Sequence, residues 1–393
     1  MNISTTKKNL VACASDLRVD MLRGFANWFL FLDHIPHNVV NLLTLRNFGF
    51  SGATDVFVFV AGYGATVFFG NMALDRGSVV TTTRIFQRAW QLYAAYVVLF
   101  VIYVGVIGNV AAQYSATDII DEYNVLGIVD HPIRTLAHGL ILQAKPLNLD
   151  TLQLMVALML VFPPLLWAML RRPNLTLAGS AALYFAAHIF DWSAPAFPSG
   201  SWYFNPFCWQ LLAVLGGWFA VNGTKLTAAA QRLGLLRLAA ALYLAFACVV
   251  TLSAHVPALA ELLPDFGLGL PTPGDKENLA PYRIVHLLAL ALLFTYLVPR
   301  DWPALRSKWL QPVMTCGEEW LPSFCSGVFL SFAAHLVLIT GPNSVLMQIM
   351  VSVIGIAMMT MIAYYISWSR RQDQRSLSSR AETRPDIAGL AAE

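Results

Sequence analysis

Apolar runs of about 17 to 25 residues recur along most of this chain, with the charged residues gathered into the short segments between them. Wound as a helix at 1.5 Å per residue, a run of that length crosses ~30 Å of hydrocarbon. Charged residues make up only 12% of the sequence, about half of what a soluble domain carries. The recurrence therefore predicts an all-α integral membrane protein.

The apolar windows place spans at 22–43, 51–70, 85–110, 149–170, 174–190, 205–222, 235–254, 283–299, 324–340 and 345–368. Positive residues settle the orientation. With the N-terminus inside, five of the 25 Lys and Arg residues fall in outer segments (Arg46, Arg134, Lys145, Lys276 and Arg283), and the other 20 lie inside at every inner loop. The reading is a polytopic bundle of about ten transmembrane helices with both termini cytoplasmic. The expected organisation is an N-terminal cytoplasmic segment, 1–21, a single membrane domain, 22–368, and a cytoplasmic tail, 369–393, that lacks a periodic apolar face and is expected to be disordered.

The first residues hold two lysines but no apolar region followed by a cleavage site, so no removable signal peptide is expected. The five cysteines are dispersed without a CxxC, which fits neither a disulfide framework nor a zinc site. The outer segments 111–148 and 255–282 carry several acidic residues, and form the expected rim of an outward-facing site. Membrane lipids are the expected surroundings, with no nucleic-acid partner.

Polar residues inside the spans carry the functional reading, because an ionisable group in the bilayer is costly unless it is paired or lines a wet cavity. "RGFANWFLFLDHIPHN" sets Arg23 near the inner surface and His34 about 16 Å further along the axis, near the midplane. Asp33 and His37 flank His34, and Pro36 removes the backbone bond toward Leu32, which predicts a kinked or hydrated helix there. Asp33, His34 and His37 have the composition of a metal cluster, but no His or Cys pair at ligand spacing accompanies them, so no metal is expected.

Asp55 opens the second span about one turn below the outer surface, and Gly62 and Gly64 allow close helix approach. Arg84 and Arg88, at i and i+4, present a two-arginine face that suits phosphates and equally suits positive-inside anchoring. Asn148 and Asp150, and Asn205 with Gln210, stand at outer span ends as candidate substrate-binding residues, with helix capping the alternative for the asparagines. His286 and His335 are read as structural histidines on apolar faces.

Taken together, "RVDMLRGFANWFLFLDHIPHNVV", "LTLRNFGFSGATDVFVFVAGY", "RIFQRAWQLYAAY", "LNLD", "FNPFCWQLL" and "KENLAPYRIVHLLALA" resemble the OpgC proteins, membrane O-acyltransferases related to the acyltransferase-three superfamily. The resemblance extends to about residue 368. It implies a multi-pass enzyme of the bacterial inner membrane that takes an acyl group, typically succinyl, from cytoplasmic acyl-CoA and esterifies hydroxyls of a periplasmic glucan or other surface carbohydrate. The family's Arg-x10-His falls on Arg23 and His34, its acidic residue on Asp55 and its basic pair on Arg84 and Arg88. One departure is Ala61 in "FVAGY", where many relatives have serine.

By that implication His34 is the general base, with Asp33, His37 or Asp55 orienting its ring, and Arg84 and Arg88 hold the acyl-CoA. The alternative is a proton-coupled transporter or flippase in which His34, His37 and Asp55 form a relay. Consumption of acyl-CoA separates the two.

Overall fold

The computed structural model describes residues 3–14, 16–114, 131–144, 148–197, 199–256 and 274–383. Among them the regular structure is helical, with one isolated antiparallel bridge between Pro195 and Ser201. The α-helices are α1 (Ile3–Ala14), α2 (Leu17–Asp33), α3 (Ala53–Arg76), α4 (Ser78–Tyr114), α5 (Pro132–Leu140), α6 (Asp150–Arg171), α7 (Pro173–Ile189), α8 (Pro206–Arg232) and α9 (Gly234–Ser253). After these come α10 (Gly274–Glu277), α11 (Pro281–Leu297), α12 (Gln311–Glu318), α13 (Trp320–Thr340) and α14 (Val345–Thr383). Among the described residues six helices, α3, α4, α6, α9, α13 and α14, are long and apolar enough to cross a membrane. The other four expected spans fall on α2, α7, α8 and α11.

Two expectations are corrected. The first span was expected to run to residue 43, but α2 ends at Asp33, and the chain continues through a turn into short 3-10 helices at Val39–Leu43 and Leu45–Asn47. Pro36 is the cause: it cannot donate a backbone bond, it disfavours helix at Ile35, and His37 then takes a left-handed φ of 54°. At the other end, the tail expected to be disordered from 369 continues α14 to Thr383. Extending an existing helix avoids the nucleation cost, and its Arg, Gln, Ala and Glu residues are good helix formers. Residues 384–393 lie outside the described residues.

The chain divides into two compact units: Met1–Val19 with Leu42–Arg300, and Asp20–Asn41 with Asp301–Glu393. In the first unit α8 packs along α3, α7 and α6, α4 along α6, and α9 along α11. Lipid tails are as apolar as leucine, so close packing has to supply the association. The α3–α8 crossing shows how: a Cβ at Gly62 would meet the Ala213 carbonyl oxygen at 2.1 Å, and one at Gly216 the Phe59 carbonyl oxygen at 2.0 Å. Leu10 and Cys13 of α1 complete this core with Val67, Met169, Val214, Ala220 and Val221.

In the second unit α13 and α12 both pack on α14. Phe31, Leu32 and Ile35 are buried with Ala334, Leu338 and Met359. Backbones again touch, since a Cβ at Gly317 would lie 1.8 Å from the Asp20 carbonyl oxygen.

In the first unit, buried Asp16, just ahead of α2, accepts from Arg18 Nε at 2.8 Å and Nη2 at 2.7 Å, and pairs with Arg300 at 3.1 Å. Burial alone would raise its pKa, but the hydrogen bonds and charge of Arg18, with the charge of Arg300, outweigh it and hold the carboxyl below its ordinary value. A folded-state pKa below the unfolded value of about 3.9 gives stability that is complete above about pH 4 and is lost as pH falls through the folded value. Asp16→Asn is therefore expected to lower the thermal midpoint at neutral pH and to converge with the wild type as the pH drops below about 4. Tryptophan fluorescence melts in detergent check this, and parallel curves down to acid pH would count against it.

Candidate active site

Arg23, Asp33, His34 and His37 all belong to the second unit. Arg23 lies on α2 beside Asp20, at 3.3 Å. His34 is set at the point where α2 ends, its backbone N–H closing a last helical turn onto the Leu30 carbonyl, 3.0 Å away. Asp33 and His34 are half-buried and His37 is exposed. His34 thus stands at a helix end and His37 in the turn that follows.

This turn is anchored further on: Asn38 Nδ2 donates to Ser352 Oγ at 2.8 Å, and the Val39 N–H to Gln348 Oε1 at 2.8 Å, both on α14. His335 of α13 is buried.

Asp55 belongs to the first unit. It is fully buried in the first turn of α3, where Oδ2 accepts the Gly52 N–H at 2.8 Å. A fork from Arg283 of α11 then binds both oxygens, Nη2 to Oδ2 at 2.6 Å and Nε to Oδ1 at 3.2 Å. Nη2 and Nε of one guanidinium thus engage both oxygens of the carboxylate, the geometry of a charge-assisted, bidentate pair. One turn along α11, His286 Nδ1 lies 2.6 Å from Ser51 Oγ and accepts the Ser51 N–H at 3.3 Å. Since an N–H can only donate, Nδ1 is the unprotonated nitrogen and Nε2 carries the hydrogen. Sequence reasoning missed both partners: Arg283 was counted only as an outer charge, and no spacing rule connects residue 51 to residue 286.

Arg84 and Arg88 sit near the start of α4, each bonded to a glutamine three residues on, Gln87 at 3.0 Å and Gln91 at 2.9 Å. Arg84 lines an open concavity with Val79, Val80, Thr83 and Gln87. Ala61 faces a different, apolar cavity with Gly62, Met155, Met159 and Ala213 among its walls.

Of the four outer polar candidates, two are consumed by the fold. Asn205 receives the Phe207 N–H at 3.1 Å as a cap of α8, and donates to the Trp192 carbonyl at 2.7 Å and Asn278 Oδ1 at 2.9 Å. Gln210 is buried, exchanging bonds with the hydroxyl and carbonyl of Ser180. Asn148 is buried at a left-handed φ of 71° ahead of α6, and Asp150, in the first turn of α6, is half-buried. Among the described residues no group of three or more His, Cys, Asp or Glu side chains is placed to hold a metal ion.

Compared with known proteins, residues 15–371 match a family model described as OpgC protein. No curated protein and no solved structure matches the chain.

Proposed function

This chain belongs to the OpgC family, an acyltransferase family, and from that premise we propose that it moves an acyl group, succinyl in the first instance, from cytoplasmic acyl-CoA to hydroxyls of a periplasmic glucan or related carbohydrate. The family match over most of the chain carries the reading. It is a multi-pass protein of the bacterial inner membrane, crossing ten times with both termini inside, supported by the six long apolar helices and by the placement of 20 of 25 positive residues in inner segments.

His34 acts as general base. Its imidazole takes the proton from a sugar hydroxyl as that oxygen attacks the thioester carbonyl; the C–S bond breaks, and the proton passes to the departing thiolate. A group with an unperturbed pKa of about 6.5 suits both halves of that exchange. Asp33 and His37, its neighbours at the end of α2, orient the ring, and Arg23 lies toward the donor side. Asp55, held by Arg283, is a positioning residue.

The direct test is purified protein given succinyl-CoA and glucan, with mass spectrometry of the glucan and assay of free thiol. Esterified glucan with stoichiometric thiol release is expected, and glucan transport or flipping without thiol release would overturn the reading. Arg84 and Arg88 contact the donor phosphates in this scheme, so replacing either by alanine should raise the donor KM about tenfold to a hundredfold, the cost of one charge-assisted contact. An unchanged KM in well-folded variants returns both to membrane anchoring.

A further inference from the structure

We propose that α5 is an interfacial helix: it lies along the outer boundary of the bilayer with its apolar face in the acyl chains of phospholipids, and so seats the first unit on the outer leaflet. All of the residues involved belong to that unit. Residues 131–144, HPIRTLAHGLILQA, hold five Ile or Leu residues and no carboxylate, a poor composition for the solvent-facing rim expected of the outer segment. At nine residues α5 is only about 14 Å long, half of what a crossing needs.

Both ends of this helix are defined. His131 is its N-cap residue and Pro132 follows at the first helical position. At the other end Leu142 takes a left-handed φ of 62°, and the Gln143 N–H closes on the His138 carbonyl at 2.8 Å. At 100° per residue the side chains sort into three sectors. Thr135 and Gly139 are buried, and a Cβ at Gly139 would collide with the Phe100 ring of α4, so this sector is the packing face. Ile133, Leu136, Ala137 and Leu140 fall within about 100° of one another and are all exposed, Ile133 by 82%. The third sector is polar: Arg134 is exposed, and the His138 ring stacks on Phe197 at 4.1 Å, within 6° of parallel.

Two contacts set the depth. From Gly77, the turn between α3 and α4 beside the inner Arg76, α4 climbs about 34 Å to Phe100. The Leu142 carbonyl accepts from Gln153 Nε2 in the first turn of α6, about 27 Å along the axis from Arg171 at the inner end of that helix. Both lengths match a hydrocarbon core of ~30 Å, so α5 rests where hydrocarbon gives way to headgroups. Tyr93 Oη donates to the Leu140 carbonyl at 2.8 Å, and the Phe197 N–H to the Gln143 carbonyl at 2.8 Å, which hold the helix at that level.

Depth and charge together select the occupant. An apolar stripe at headgroup level, with a span on one side and a guanidinium on the other, fits a phospholipid: its chains lie against Ile133, Leu136 and Leu140, and its phosphate meets Arg134. This seat is independent of the acyl-transfer chemistry.

The test is photocrosslinking of the full chain in nanodiscs of phosphatidylcholine and phosphatidylglycerol, with benzoylphenylalanine put singly in place of Ile133, Leu140, His131 or Arg134. All four side chains are exposed, so the packing face is left intact. Probes at 133 and 140 should gain the mass of a phospholipid, joined through an acyl chain, at several times the yield of probes at 131 and 134. Equal yields at all four positions would mean a helix immersed on every side, and no lipid adduct at 133 and 140 in folded protein would mean a face in water; either result overturns the proposal. A crosslinked dimer in place of the lipid adduct overturns it too, and gives the face to a second copy. Stability supplies a separate reading: Ile133→Ser combined with Leu140→Ser should lower the thermal midpoint in nanodiscs, and an unchanged or raised midpoint counts against the seat.

Discussion

His34→Ala is expected to reduce kcat by about 10²- to 10⁴-fold, the usual contribution of a general base, while donor binding is largely retained. The expectation follows from the position of the residue. His34 closes the last turn of α2, half-buried, with its backbone bonded to Leu30, so truncating the side chain removes an imidazole without removing a helix bond. A stability effect should therefore be small beside the catalytic one. Single-turnover acylation of glucan by purified protein, with acyl-CoA binding measured separately, distinguishes the two. A folded His34→Ala protein that binds acyl-CoA and acylates glucan at close to the wild-type rate would remove His34 from the mechanism. His37→Ala, if that ring only orients its neighbour, should cost less than His34→Ala.

The second large effect is expected at the Asp55–Arg283 pair. Asp55 is fully buried, with both carboxylate oxygens engaged by Arg283 and one also by the Gly52 N–H. Removing one partner strands the other as a buried charge, a loss of about 3–5 kcal/mol. Arg283→Met and Asp55→Ala are each expected to cost that much in folding stability, and the double variant to cost clearly less than the two added together, because no stranded charge remains. Equilibrium unfolding in detergent across the four-member cycle measures the coupling. Additive losses would show that the pair does not act as a unit.

Residue type and depth are what the sequence offers for choosing candidate site residues. Arg23 and His34 stand out because ionisable groups in an apolar run need a reason to be there. Pro36 announced a break, although its extent, with α2 ending at Asp33 and His37 turning left-handed, depended on backbone geometry that hydropathy does not report. Asn205 and Gln210, read as candidate substrate ligands at span ends, make hydrogen bonds within the fold to Phe207, Asn278 and Ser180. A polar side chain looks the same in sequence whether its partner is a ligand or a neighbouring helix.

What the sequence determined by itself was the class and the helices. Nine of the ten expected spans fall on helices and the first does so as far as Asp33, because a long apolar run has few other ways to satisfy its backbone away from water, and the periodicity of charge between runs is a local property of the chain. Which helices would share a core was decided only in three dimensions. The segment Asp20–Asn41 packs with residues after 300, and Met1–Val19 with the helices before it. The Arg283 fork reaches Asp55, and the carbonyls of 276 and 277 reach Trp209, across intervals no local pattern spans. Such partners are chosen by shape and by the cost of an unpaired charge, and both exist only once the helices are assembled.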